Sequence, residues 1–340
     1  MSEQESSEQP SDKMRERIDE STWKLWVLME ANRWTVAAAL VFTVFVSMVL
    51  IGTADPSPLQ HSMEVSDPAE TLFQGFLTTI ITGVTLVVTL NQLVLSQELG
   101  PVGDQKERMK EAMQFREDVE NVIEEVVSPQ QPSKFLKSLL DQVEKQSEEL
   151  ESAVGDQSDE IHEYIAELKK NAGQVSKSLE SSEFGNFTLL SAVLNFNYSW
   201  KIAQTRRIKK EHGEKLGEDV TQGLEDLEET LKLFGPAREH FKTLYFQWEL
   251  VNLSRTMLYT ALPALIVAAS MIVFYDPTAV SGYTLGLSND VILVSMATAV
   301  SVTPFMLLLS YILRIATVAK RTLSIGPFVL RDEDRNTQIS

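Results

Sequence analysis

Between Glu70 and Glu98 the chain runs for 27 residues without an ionisable side chain. At ~1.5 Å per helical residue that is about 40 Å, more than the ~30 Å of a bilayer's hydrocarbon core. Within it Thr71, Gly75, Thr78, Thr82, Thr85, Thr89, Gln92 and Ser96 follow at spacings of 4, 3, 4, 3, 4, 3 and 4. That rhythm lays them along one seam of a helix whose other faces are Ile, Leu, Val and Phe. A membrane helix with such a stripe turns it toward protein or water rather than lipid.

Three further runs lack charge: Trp34–Ala54, the stretch between Arg255 and Asp276, and the stretch between Asp290 and Arg314. They predict membrane helices at 34–54, 71–97, 256–275 and 291–313. The Asp55-Pro56-Ser57-Pro58 sequence stops the first. Pro263 and Pro304 lie inside the third and fourth and are candidate hinges, because proline removes a backbone donor; ordinary packing is the alternative. Residues 1–33 read as a disordered acidic start followed by an interfacial segment mixing Trp23 and Trp26 with Arg17 and Lys24. No signal-peptide pattern is seen at the start of the chain.

Basic residues set the expected orientation. The connections 55–70 and 276–290 contain no Lys or Arg, whereas the N-terminal flank, the middle segment and the tail 314–340 do. The positive-inside rule then places both termini and the middle segment in the cytoplasm of a multi-pass cell-membrane protein.

The middle segment, 98–254, reads as a helical, partly coiled-coil-like domain between the second and third spans. Phe115, Val119, Val122 and Val126 keep helical spacing, as an extension of the second span. Ser128-Pro129-Gln130-Gln131-Pro132 breaks that helix, with Ser133 as the next cap. Val143, Ser147, Leu150 and Val154, then Ile161, Ile165, Leu168, Ala172, Val175 and Leu179, hold heptad rhythm on either side of Gly155. Residues 184–204 read as a buried core helix or one packed against the membrane base, and a last helix is expected to start at Gly235-Pro236 and run into the third span. The fold class is all-α: two membrane hairpins and a helical cytoplasmic domain. This layout is similar in topology to the bestrophin channels, although no motif of that family is matched and no residue role is carried over.

The formal net charge of −18 lies in the soluble parts and disfavours nucleic acid as a partner. A high-salt cytoplasm is one explanation and ordinary solvated helix faces another. With no cysteine there is no thiolate site. His61, His162, His212 and His240 have no metal-ligand spacing, and no phosphate loop or nucleophile elbow occurs, so neither a metal, a cofactor nor an enzyme activity is expected. The spans carry no ionisable residue between their flanking charges, which argues against proton-coupled transport and voltage sensing.

A passive pore survives that test, since hydroxyls and amides can line one. Two readings of Thr78, Thr82, Thr85, Thr89, Gln92 and Ser96 stay open: pore lining in a homo-oligomer, or helix packing, where Thr and Gly let helices approach closely. At the level of function, the expectation is an oligomeric channel-like protein. A membrane-anchored scaffold or signalling protein, whose cytoplasmic helices bind a helical partner, is the alternative.

Overall fold

The structure is a computed structural model and describes residues 26–54, 68–155, 159–180, 187–212, 216–280 and 282–322. The acidic N-terminal stretch, the Asp55-Pro56-Ser57-Pro58 signal and the tail beyond Thr322 lie outside the described residues. The described chain is helical apart from one small hairpin. A π-helical turn, Trp26–Glu30, precedes α1 (Arg33–Ala54). Then follow α2 (Pro68–Glu98), α3 (Val102–Ile123), α4 (Pro132–Val154), α5 (Asp159–Glu180), α6 (Phe187–Leu194) and α7 (Tyr198–His212). The chain continues with α8 (Glu218–Phe274), β1 (Tyr283–Thr284), β2 (Leu287–Ser288) and α9 (Asn289–Thr322). Four of these helices, α1, α2, α8 and α9, are long and apolar enough to cross a membrane. The chain divides into two compact units, one of residues 26–99 and 247–317, the other centred on 100–246.

The second unit is a helical bundle with one continuous apolar core. Val143, Ser147, Leu150 and Val154 of α4 are all buried, as are Ile161, Ile165, Leu168, Ala172, Val175 and Leu179 of α5. Asp141 meets Ser176 at 2.6 Å and Glu148 meets Lys169 at 3.1 Å, so the two helices run antiparallel. Gly155, at φ +55°, terminates α4 in a conformation that other residues enter at a cost. Val220, Leu224, Leu227, Leu231 and Phe234 of α8 close the core, with Leu189, Val193 and Phe196. Each fully buried side chain of this size contributes about 2 kcal/mol.

Several local expectations are corrected. Gly100-Pro101 separates α2 from α3, since proline disfavours helix in the residue before it. Only Val119 and Ile123 of α3 are buried, and Val126 is 95% exposed. The cap of α4 is Gln131, with Pro132 at the first helical position, so Ser133 lies inside the helix. Ser128 is instead tied back to α3: its N–H and hydroxyl both donate to Glu120 at 2.8 Å, and Arg116 donates to its carbonyl at 2.6 Å. Those two donations, the backbone one foremost, hold the Glu120 carboxyl below its usual range. The apolar segment 184–204 contributes two helices, broken at Asn195–Asn197.

Helix α8 does not begin at Gly235-Pro236 but passes through it. A Cβ at Gly235 would meet the Tyr198 ring at 2.7 Å, so the glycine is there for close approach rather than as a stop. Arg238 lies over the same ring, 4.6 Å from its centroid.

The first unit is built on α2, the C-terminal part of α8, and α9. Ala261, Ala264 and Ala268 of α8 are buried at successive turns, the small-residue spacing that lets membrane helices pack closely. Against them lie Phe73 and Ile80 of α2 and Ala297 of α9. The β1–β2 hairpin pairs Tyr283 with Ser288 and Thr284 with Leu287. Its turn residues, Leu285 and Gly286, both have positive φ, as a two-residue hairpin turn matching strand twist requires.

Candidate functional site

The two faces of α2 meet different surroundings. Phe73, Ile80 and Val87 are buried, and a Cβ on Gly83 would crowd Phe305 at 3.0 Å and Met257 at 3.1 Å. On the other side Thr71, Gly75, Thr78, Thr82, Thr85, Thr89, Gln92 and Ser96 are all exposed. At 3.6 residues per turn the two sets lie about 165° apart. Among the described residues the seam is thus left exposed, and a Cβ on Gly75 would meet no atom within 4 Å.

The seam hydroxyls are turned inward to their own helix. Thr78 donates to the Gln74 carbonyl at 3.0 Å; Thr82, Thr85 and Thr89 donate to those of Thr78, Ile81 and Thr85, each at 2.9 Å. Ser96 donates to Leu93 at 2.7 Å. Each proton is thereby satisfied without water, while the oxygen's remaining lone pair faces outward. Gln92 makes no hydrogen bond among the described residues.

Pro263 is exposed and Pro304 buried, and in both cases the helix continues through the proline. At Pro304 the preceding hydroxyl, Thr303, bonds back to Ala299 at 2.9 Å.

Sequence reasoning missed a buried charge cluster in the same unit. Arg33, which directly precedes the charge-free run 34–54, is 5% exposed and donates to the carbonyls of Val27, Leu28, Ala31 and Ser310. Arg314, 8% exposed, donates to Ala31 O at 2.8 Å and to Glu249 at 3.1 Å. The two guanidiniums thus converge on one carbonyl and hold the π-helical turn against α9. Nothing periodic links positions 283 residues apart, so no sequence pattern marks this clamp.

Asp290 was missed as well. It lies in the first turn of α9 at 1% exposure, and the Tyr275 side chain is its hydrogen-bonding neighbour. The neighbouring Asp276 is held low by the hydroxyl and N–H of Thr278, at 2.7 and 2.9 Å. Further along α9, Thr298 and Ser301 are buried with hydroxyl oxygens that have no hydrogen-bond partner among the described residues. A buried orphan of this kind costs about 1–3 kcal/mol, more for a charged group.

In the other unit, His212 joins Glu160 and Glu211 with ligating atoms within 4.8 Å of one another. Arg207 already bridges both glutamates, which makes the cluster an exposed ion-pair network.

No curated protein and no solved structure matches the chain. A family model, described as a family of unknown function (DUF7972), matches residues 1–340. The match spans the apolar helices and the helical unit alike, and the chain belongs to that family.

Proposed function

We propose that this is an oligomeric, channel-like membrane protein in which α2 of several copies lines a shared polar path. One observation carries the reading: the hydroxyl seam of α2 is exposed while the opposite face is buried in the chain's own core. A row of polar groups facing lipid wastes hydrogen-bonding capacity, and copies meeting along the seam recover it. Because the hydroxyl protons are committed to the backbone, the oxygens facing outward act as acceptors. Such a lining favours cations over anions and needs no fixed charge at the axis. Basic flanks put both termini and the middle helical unit on the cytoplasmic side. The reading includes no enzyme activity.

Cysteine scanning tests the seam on a background without native cysteine. Thr85→Cys and Gln92→Cys are expected to cross-link between copies under mild oxidation in membranes. Leu90→Cys, 44% exposed but about 105° from the seam, is expected not to. Equal cross-linking at all three positions, or none at the seam, contradicts the arrangement.

The scaffold reading draws on α3. Val102, Met109 and Met113 are 85%, 65% and 47% exposed along one face, which suits docking of a partner helix. Loss of a bound helical protein from the Met109→Glu variant, with the seam inert, favours it.

A further inference from the structure

We propose that the N-terminal half of α3 lies on an anionic lipid surface, with Val102, Met109 and Met113 inserted at headgroup level. The inference asks only that α2 crosses a bilayer and is independent of what its seam meets. Every residue from Val102 to Gln114 is exposed, and the buried residues of α3, Val119 and Ile123, come later. A helical stretch with no buried face gains nothing from the packing that supplies most helix stability in proteins. Only Leu99, Gly100 and Pro101 separate it from the end of α2. That length of chain reaches at most ~14 Å, so the covalent connection alone keeps the start of α3 near the membrane that α2 crosses.

The placement of charge selects the occupant. On a regular helix Val102, Met109 and Met113 fall within about 40° of one another, and Ala112 widens the stripe to about 100°, with Gln105 inside it. Lys106 and Lys110 border the stripe on one side and Arg108 borders it on the other. Asp104, Glu107 and Glu111 centre about 165° away, on the opposite face. Lys110 meets Glu107 at 3.6 Å, but both side chains are well exposed, so that pair holds the lysine weakly. An apolar stripe with bases on both borders and acids behind it suits a helix lying in the headgroup plane. There the lysine and arginine stems follow the apolar face and their charges meet lipid phosphate. A chain of net charge −18 is repelled by such a surface as a whole, so what counts is that α3 sorts its bases toward the stripe and its acids away. A partner helix, the competing occupant, would need acids matched to both borders, whereas anionic headgroups supply them everywhere on the surface.

The test uses the full chain, which has no cysteine of its own, in lipid nanodiscs. A fluorophore is attached through Met109→Cys, Glu111→Cys or Leu90→Cys and quenched by brominated lipid or by aqueous iodide. The discs hold phosphatidylcholine alone, or phosphatidylcholine and phosphatidylglycerol in equal parts. In the anionic discs lipid quenching at Met109 is expected to exceed that at Glu111 roughly threefold, with iodide showing the reverse. It is expected to fall about twofold in phosphatidylcholine alone, and by as much in anionic discs when Lys106→Glu/Lys110→Glu is added. Both lysines are exposed, so that variant leaves the core untouched. Equal lipid quenching at Met109 and Glu111 overturns the proposal, as does quenching at Met109 that survives the change of lipid or the lysine variant undiminished. A label at Met109 shielded from both quenchers identifies a protein partner or a second copy and overturns it too. Leu90, exposed on α2, reports the span itself. Lipid quenching at Leu90 without any at Met109 is a failure of the α3 surface alone; no quenching at either is a failure of the span, and the proposal falls with it.

Discussion

Arg314→Leu is expected to destabilise the protein by about 3–5 kcal/mol, because it strands the Glu249 carboxylate in the interior. Arg314 and Glu249 have side chains 10% and 7% exposed and lie 3.1 Å apart, so solvent screens the pair little. Removing one member leaves the other charge desolvated, and it also withdraws the donor to the Ala31 carbonyl. The double variant Arg314→Leu/Glu249→Leu removes both charges and is expected to cost less than the single one. Unfolding of detergent-solubilised protein, followed by circular dichroism, measures Arg314→Leu, Glu249→Leu and the double variant. Additive losses in the double variant, each as large as in the single ones, would show that the two side chains are not coupled. Arg33→Gln belongs to the same cluster and is expected to loosen the Trp26–Glu30 turn, read as faster proteolysis near the N-terminus.

The second large effect lies in the helical unit. Phe234→Ala is expected to cost about 3–5 kcal/mol, the range for emptying a buried aromatic position. Phe234 is fully buried, sits edge-on to Phe196 at 4.9 Å between centroids, and lies 6.2 Å from Tyr198. Phe196 lies within the Asn195–Asn197 break and Tyr198 at the start of α7, so the cavity opens where α8 meets that junction and cannot close by moving one helix. Val126→Ala serves as the control, since that side chain is 95% exposed and its loss is expected to be near zero. Equal effects at the two positions would place the core elsewhere.

How far these features were legible follows from their physics. Apolar length and the 3-4 repeat are local and periodic, so the four apolar helices and the buried faces of α4 and α5 could be read directly. Helix ends were harder. Gly235-Pro236 looks like a stop until the Tyr198 ring that fills the space above Gly235 is known. Gly100-Pro101 was passed over although it does break the chain, because the apolar spacing resumes beyond it. Exposure of the α2 seam was not legible at all: the repeat names a face but not what that face meets. Arg314 and Asp290 read as boundary charges because each stands at the edge of an apolar run, and Arg33 stands at the edge of another. Their burial depends on partners brought close by tertiary packing, which one strand of text does not display.

The measurement that bears most directly on the central reading is single-channel recording in planar bilayers. Wild type is compared with Thr82→Leu/Thr85→Leu, which removes two seam hydroxyls and leaves the buried face of α2 untouched. The account predicts unitary cation currents from wild type, and a reduced conductance or altered selectivity from the variant. Silence from folded, oligomeric wild-type protein across salts and voltages, or identical currents from the two proteins, would contradict a path lined by α2.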